Sequence, residues 1–268
     1  EFCFAPYCEL TVDAMTFLLS YMNQLCACNC NVSLAFDAEH TINQFEQDGF
    51  FKYLSPAVTV FHAGSVFVNG LPLAGILSDR IIKIVNISTD ISDRTVPARL
   101  TDAILNTVKD KSFTKLFNIA AYTIIAELVD NILQHSSTKI DGFAGVEISN
   151  GGKIIRIAIS DSGTGILQTL RPALITELPK LNRLKDIELL IEVFRKGVSC
   201  HGQGRGCGLK TSADWAIKFD ATLEIRLSNT RIALFPDNGK YELNNPIRFV
   251  DLLPILGTHI CFTFNLDI

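Results

Sequence analysis

The chain has 268 residues, of which 48% are hydrophobic and 19% charged, and its formal net charge is −4. That hydrophobicity excludes an intrinsically disordered chain, and 17 glycines with no sustained heptads exclude collagen-like and coiled-coil classes. The small negative charge gives no general drive toward nucleic acid or anionic lipid, and no uninterrupted apolar run approaches the roughly 18 residues that span a bilayer.

The charge is unevenly spread. Residues 1–51 hold no Lys or Arg, seven acids (Glu1, Glu9, Asp13, Asp37, Glu39, Glu46, Asp48) and five of the eight cysteines (Cys3, Cys8, Cys26, Cys28, Cys30). All 24 cations follow, starting at Lys52. Eight cysteines in a chain far larger than a small disulfide scaffold predict reduced thiols and a cytoplasmic protein. Cys26-x-Cys28-x-Cys30 and Cys3-x4-Cys8 lack the C-x2-C spacing of zinc sites and read as plain thiols.

In chain order, apolar residues at helical spacing predict a helix over Thr11–Leu25. Alternation predicts a strand over Asn31–Phe36. A second helix is expected over His40–Leu54, strand and turn over Val58–Phe67, and a buried strand over Arg80–Ile87. The polar stretch Ser88–Arg94 marks a boundary, dividing the chain into an N-terminal α/β segment, 1–92, and a larger unit, 93–268. Helices follow over Pro97–Val108 and Phe113–His135. Val146–Ser149 and Lys153–Ser160, joined by Asn150-Gly151-Gly152, form a hairpin. Helical stretches such as Asp186–Phe194 occupy 167–200, and a helix covers Gly208–Phe219. Strands close the chain at Ala221–Leu227, Arg231–Phe235, Tyr241–Leu243 and Thr258–Leu266.

Three motifs carry chemistry. On the long helix, Glu127, Asn131 and His135 recur at i, i+4 and i+8 and drift by only about 40° per step, so they line one stripe. Asn offers a hard oxygen suited to Mg2+, and Glu can polarise a water; a solvated helix side is the bland alternative. Next, an apolar strand ends in Ser160-Asp161-Ser162-Gly163-Thr164-Gly165. An Asp at a strand end can accept from a base amine, and the glycines admit close approach; a plain polar turn is the alternative. Third, Gly202-Gln-Gly204-Arg-Gly206-Cys-Gly208-Leu209-Lys210 leads into a helix. Such a loop offers free N–H groups and the positive end of a helix dipole to phosphate. It fits neither the dinucleotide fingerprint nor the P-loop, since Leu209 separates Gly208 from Lys210-Thr211.

ELVDNILQHS, DSGTGI and GQGRGCGLK, in that order, resemble the GHKL ATPases (gyrase, heat-shock chaperone, histidine kinase, MutL) over about the last 150 residues. The resemblance implies an α+β chain: a two-layer α/β sandwich of the Bergerat type preceded by a small α/β segment. It implies ATP and Mg2+ as ligands. Asn131 would hold the metal, Asp161 the adenine amine, and Gly163 and Gly165 the adenine-side loop. Gly204, Gly206 and Gly208, with Leu209 after them, would wrap the phosphates, and Thr258 would stand near the base. The stretch Leu167–Gln203 would be a mobile lid. Lys196 and Arg205 are its cations nearest the glycines, placed to meet a γ-phosphate or to be solvated, and His135 would line the site or cap its helix.

Glu127, four residues before Asn131, resembles the residue that activates water in hydrolytic members. The expectation is a regulatory ATPase in which nucleotide closes the lid and changes a partner or dimer interface. A histidine- or serine-kinase-type phosphotransferase and a non-hydrolysing sensor remain open. Gln47–Leu54 resembles part of the STAS-type regulatory domains that precede GHKL modules in some bacterial proteins. A cation-free N-terminal segment points to a protein partner or a second copy, with no nucleic acid or membrane.

Overall fold

A computed structural model describes residues 1–66, 80–88, 93–108, 111–135, 138–198, 207–242 and 247–266. The chain opens with β1 (Phe2–Phe4), α1 (Val12–Ala27), β2 (Ser33–Phe36), α2 (Glu39–Gln47), a 3-10 turn (Phe51–Tyr53), β3 (Thr59–His62) and β4 (Ser65–Val66). Alternation of strand and helix gives crossover connections. β1, β2 and β3 accordingly pair in parallel, while β4 folds back antiparallel on β3. The helix expected over His40–Leu54 breaks after Gln47, because Gly49 takes a φ of 75° and turns the chain toward the Phe50–Phe51 aromatic cluster.

The larger unit runs β5 (Ile81–Ile87), α3 (Val96–Thr107), α4 (Lys111–His135), β6 (Gly142–Ser149), β7 (Ile154–Ser160), α5 (Ile166–Glu177), α6 (Pro179–Asn182), α7 (Asp186–Lys196) and α8 (Gly208–Ile217). It continues with β8 (Thr222–Arg226), β9 (Arg231–Leu234), the small hairpin β10 (Pro236–Asp237) and β11 (Lys240–Tyr241), β12 (Ile247–Phe249) and β13 (His259–Asn265). Seven strands form one sheet in the order β12-β9-β8-β13-β7-β6-β5, with every neighbouring pair antiparallel. β5 pairs with β6 along its whole length, from Ile81 opposite Ile148 to Ile87 opposite Gly142. The edge strand of the large sheet therefore lies ahead of the boundary expected at residue 92. Ser88 follows this strand and α3 begins at Val96; residues 89–92 of the polar stretch lie outside the described residues.

Both faces of the large sheet are covered. On one, α4 packs against α3 and α8 over a core that includes Ile104, Phe117, Ile124, Leu128, Ile157 and Phe264. Lys115–Gln134 of α4 is long and apolar enough to cross a membrane by length and composition alone; 44% of its apolar window is buried within the fold. On the other face, α1 lies across β6, β7 and β13. Its Val12, Met15, Leu19 and Met22 join Ile84, Phe143, Ala158 and Cys261 of the sheet and the Phe36–Phe45–Phe51 cluster. The period-2 alternation of strands makes this two-sidedness visible on β13. Ile260, Phe262 and Phe264 belong to the core under the helices, and Cys261 to the core under α1.

Candidate nucleotide site

The carboxyl end of β7 delivers Asp161 into a loop closed by its own side chain. Oδ1 accepts the Gly163 N–H at 2.7 Å, and Oδ2 accepts the Thr258 N–H at 3.1 Å. The Asp161 N–H in turn donates to the Thr258 carbonyl at 3.0 Å. Burial, only partly offset by those two N–H donors, pushes the Asp161 carboxyl up to about 6. Gly257 makes the contact possible. Its φ is 86°, and a Cβ there would sit 1.9 Å from the Asp161 carbonyl oxygen. The Thr258 hydroxyl accepts the Ile166 N–H at 3.1 Å and so fixes the amino end of α5 just after Gly165. Asp161, Gly163, Gly165 and Thr258 are thus one hydrogen-bonded unit, with Thr258 buried inside it.

The second group lies where α4 meets α8. A Cβ on Gly208 would stand 2.3 Å from Glu127 Oε2, so a side chain there would push that carboxylate aside from the start of α8. Burial, with Asp130 nearby, raises the Glu127 carboxyl above the ordinary range, which suits a proton acceptor. Thr211 N–H closes the first helical bond to Cys207 O, leaving the N–H groups of the turn before it as donors for an anion. Asn131 has a buried side-chain nitrogen without a partner among the described residues. An orphaned amide is what a carboxamide awaiting a ligand presents, and turned over it offers an oxygen, so the residue fits Mg2+. His135 closes α4. Leu209 is buried in the core and contributes backbone only. Gly204, Arg205 and Gly206 lie outside the described residues.

Two expectations change. The stretch expected to be a mobile lid, Leu167–Gln203, is helical through Lys196, with Leu167, Leu170, Leu174, Leu190 and Phe194 packed in the main core. The described ends of the remaining segment are adjacent, since a Cβ on Gly197 would lie 3.2 Å from Cys207 Sγ. Lys196 is an exposed member of an ion pair with Glu192 one turn back, and Lys210 pairs likewise with Asp214.

Sequence reading missed the grip of α1 on this site. Ser20 Oγ and Ser162 Oγ share a hydrogen bond of 2.7 Å. Gln24 Nε2 donates to Ser162 Oγ at 3.0 Å and to Leu256 O at 3.2 Å, and Leu256 N–H donates back to Gln24 Oε1 at 3.1 Å. Nearer the start of α1, Ser160 Oγ donates to Thr16 Oγ1 at 3.1 Å. Thr16, Ser20 and Gln24 recur every fourth residue among buried apolar neighbours. That polar stripe was the available signal.

An antiparallel sheet with α3, α4 and α8 on one face, a buried Asp at a strand end, and a Glu–Asn helix meeting a glycine-led helix define an α+β nucleotide-binding sandwich. The family model of histidine kinase-, DNA gyrase B- and HSP90-like ATPases matches residues 118–267, more than half of the chain, and the protein belongs to that family. A search of curated proteins finds no match. The family assignment makes the domain ATP-binding. Among the described residues no three His, Cys, Asp or Glu side chains gather as a metal cluster.

Proposed function

We propose that this protein is a Mg-ATP-dependent regulatory ATPase whose nucleotide state is read by its N-terminal segment. The observation that carries the reading is Glu127, its proton affinity raised, held against the amino end of α8 one helical turn before Asn131. Asp161 accepts from the adenine amine through lone pairs left beside its two backbone donors. Gly163 and Gly165 let the loop lie flat against the base. The first-turn N–H groups of α8 and the glycines before them hold the phosphates. Asn131 would hold Mg2+, which would supply charge neutralisation to the phosphates. Glu127 takes the proton of the attacking water.

The N-terminal segment is the surface that a partner or second copy engages. Its support is the absence of any cation before Lys52 together with the α1 bonds to Ser162 and Leu256. The parallel β1-β2-β3 arrangement with helices between the strands supports a STAS-like reading of it.

Phosphate release and nucleotide affinity test the reading together. Glu127→Ala should keep Mg-ATP affinity within a few-fold and lose turnover by about 100-fold or more. An unchanged rate removes Glu127 from the chemistry. Binding by the wild type with no turnover identifies a sensor, and transfer of label from ATP to a protein identifies a kinase.

A further inference from the structure

The face of the large sheet under α1 carries a polar row. The register sets Ser160 opposite His259, His259 opposite Arg226, and Arg226 opposite Arg231. Residues directly opposite share a face, so these side chains point away from α4 and α8. Between this row and α1 lies a cavity of about 480 Å³. Phe17, Leu18 and Tyr21 of α1 and Leu252, Leu253 and Ile255 of the chain before β13 form its apolar walls.

The polar groups of the cavity are incompletely matched. Two arginines side by side repel unless anions join them. Arg231 has its anion in Glu224, to which Nε donates at 3.1 Å. Arg226 uses Nη2 on the Leu253 carbonyl at 2.6 Å, while its buried Nη1 has no partner among the described residues. His259 is only 6% exposed; its ring turns one nitrogen toward the Leu256 backbone in a loose hydrogen bond and leaves the other without a partner among those residues. Burial keeps its ring neutral, with a pKa near 3. One guanidinium nitrogen therefore stands as a spare donor beside a buried imidazole and an apolar chamber. Asp13 also lines the cavity, from α1, and its charge opposes a polyanion such as phosphate.

We infer that this cavity binds a small monocarboxylic acid with an aromatic or branched aliphatic body, at a site separate from the nucleotide and shared between the N-terminal segment and the ATPase sheet. The carboxylate accepts from Arg226 Nη1 beside the His259 ring, and the body lies along Phe17, Tyr21 and Leu253. A carboxylate there gives Arg226 Nη1 the acceptor that the described residues do not supply.

Leu18 of α1 and Ile255 of the chain before β13 line the cavity, and their methyl groups make NMR reporters of this space. Benzoate, cinnamate, hydrocinnamate and isocaproate are titrated into the full chain, each against its primary amide. The expected result is a saturable methyl shift with at least one acid, at least tenfold weaker with the matching amide. Arg226→Met should weaken that acid at least tenfold, and Ala14→Trp, which fills the chamber from α1, should abolish the shift. The inference is overturned if none of the four acids gives a saturable shift, if acid and amide bind alike, or if the shift survives Ala14→Trp. Should Arg226→Met not fold, the acid–amide comparison and the Ala14→Trp variant decide.

Discussion

The two faces of the large sheet are held by different means. Under α4 and α8 the contact is apolar, built from side chains such as Ile124, Leu128, Ile157 and Phe262. Under α1 the apolar contact is smaller and is pinned at its ends by polar groups. Glu147, buried on β6, accepts the Val12 N–H at 2.9 Å and so caps the amino end of α1, which has no side-chain cap of its own. Its second oxygen accepts from Arg156 Nη1 at 2.7 Å. At the far end of α1, Ser20 and Gln24 hold Ser162 and Leu256. A buried pair, Arg80 with Asp48 at 2.8 Å, ties α2 to the start of β5. Hydrophobic attraction has no direction. It explains why the segment covers the sheet, and the directed bonds explain why it covers it in one register.

That contrast can be broken at graded cost. The largest effect is expected from Gly257→Ala, which drives a methyl into the Asp161 carbonyl at a positive φ. It should cost about 3 kcal/mol or more in chemical denaturation and abolish nucleotide binding. Glu147→Ala uncaps α1 and strips Arg156 of its partner, and should cost about 2 kcal/mol. If the loss is no larger than for a surface substitution, the cap does not hold the segment. Gln24→Ala should cost about 1 kcal/mol and also change nucleotide affinity, because the lost bonds end on Ser162 and Leu256. A stability change with no change in affinity would show that the grip is structural only. Lys196→Ala, which removes an exposed ion pair, should shift stability by less than about 0.5 kcal/mol.

Proton linkage sharpens the same comparison at Asp161. Its carboxyl titrates near 6 in the folded protein, against an ordinary value of 3.8. Between those values the folded chain holds the proton that the unfolded chain has released, so this group's contribution to stability falls as pH rises through the window. Carbon-detected NMR of the Asp161 carboxyl should give a midpoint near 6 without nucleotide and a lower one with ADP, since an amine donor favours the ionised form. An unmoved midpoint would take Asp161 out of adenine recognition.

The nucleotide domain was legible because its signals are contiguous. ELVDN, DSGTG and the alternating glycines each occupy one short string, and the helices and strands around them keep clean periods. What could not be read joins distant positions. Ser20 and Ser162 are 142 residues apart, and Val12 and Glu147 are 135 apart, and neither member of a pair announces the other. β1 and β12, three residues each, are too short for alternation to register. α5 was hidden by Pro172 within it. In sequence, the Gly-rich string and the amphipathic helices before it look alike as one connection. The helices become distinguishable once Leu189–Phe194 are seen to be buried.

The bond from Gln24 to Ser162 works in both directions. If adenine binding tightens the loop around Asp161, it must strengthen the hold on α1 by the same free energy with which a held α1 improves adenine binding. Anything that pulls on residues 1–27 from outside would then eject nucleotide, and a nucleotide-filled site would resist the pull. The contact is a coupling whose strength can be measured from either end, without knowing which end the cell uses.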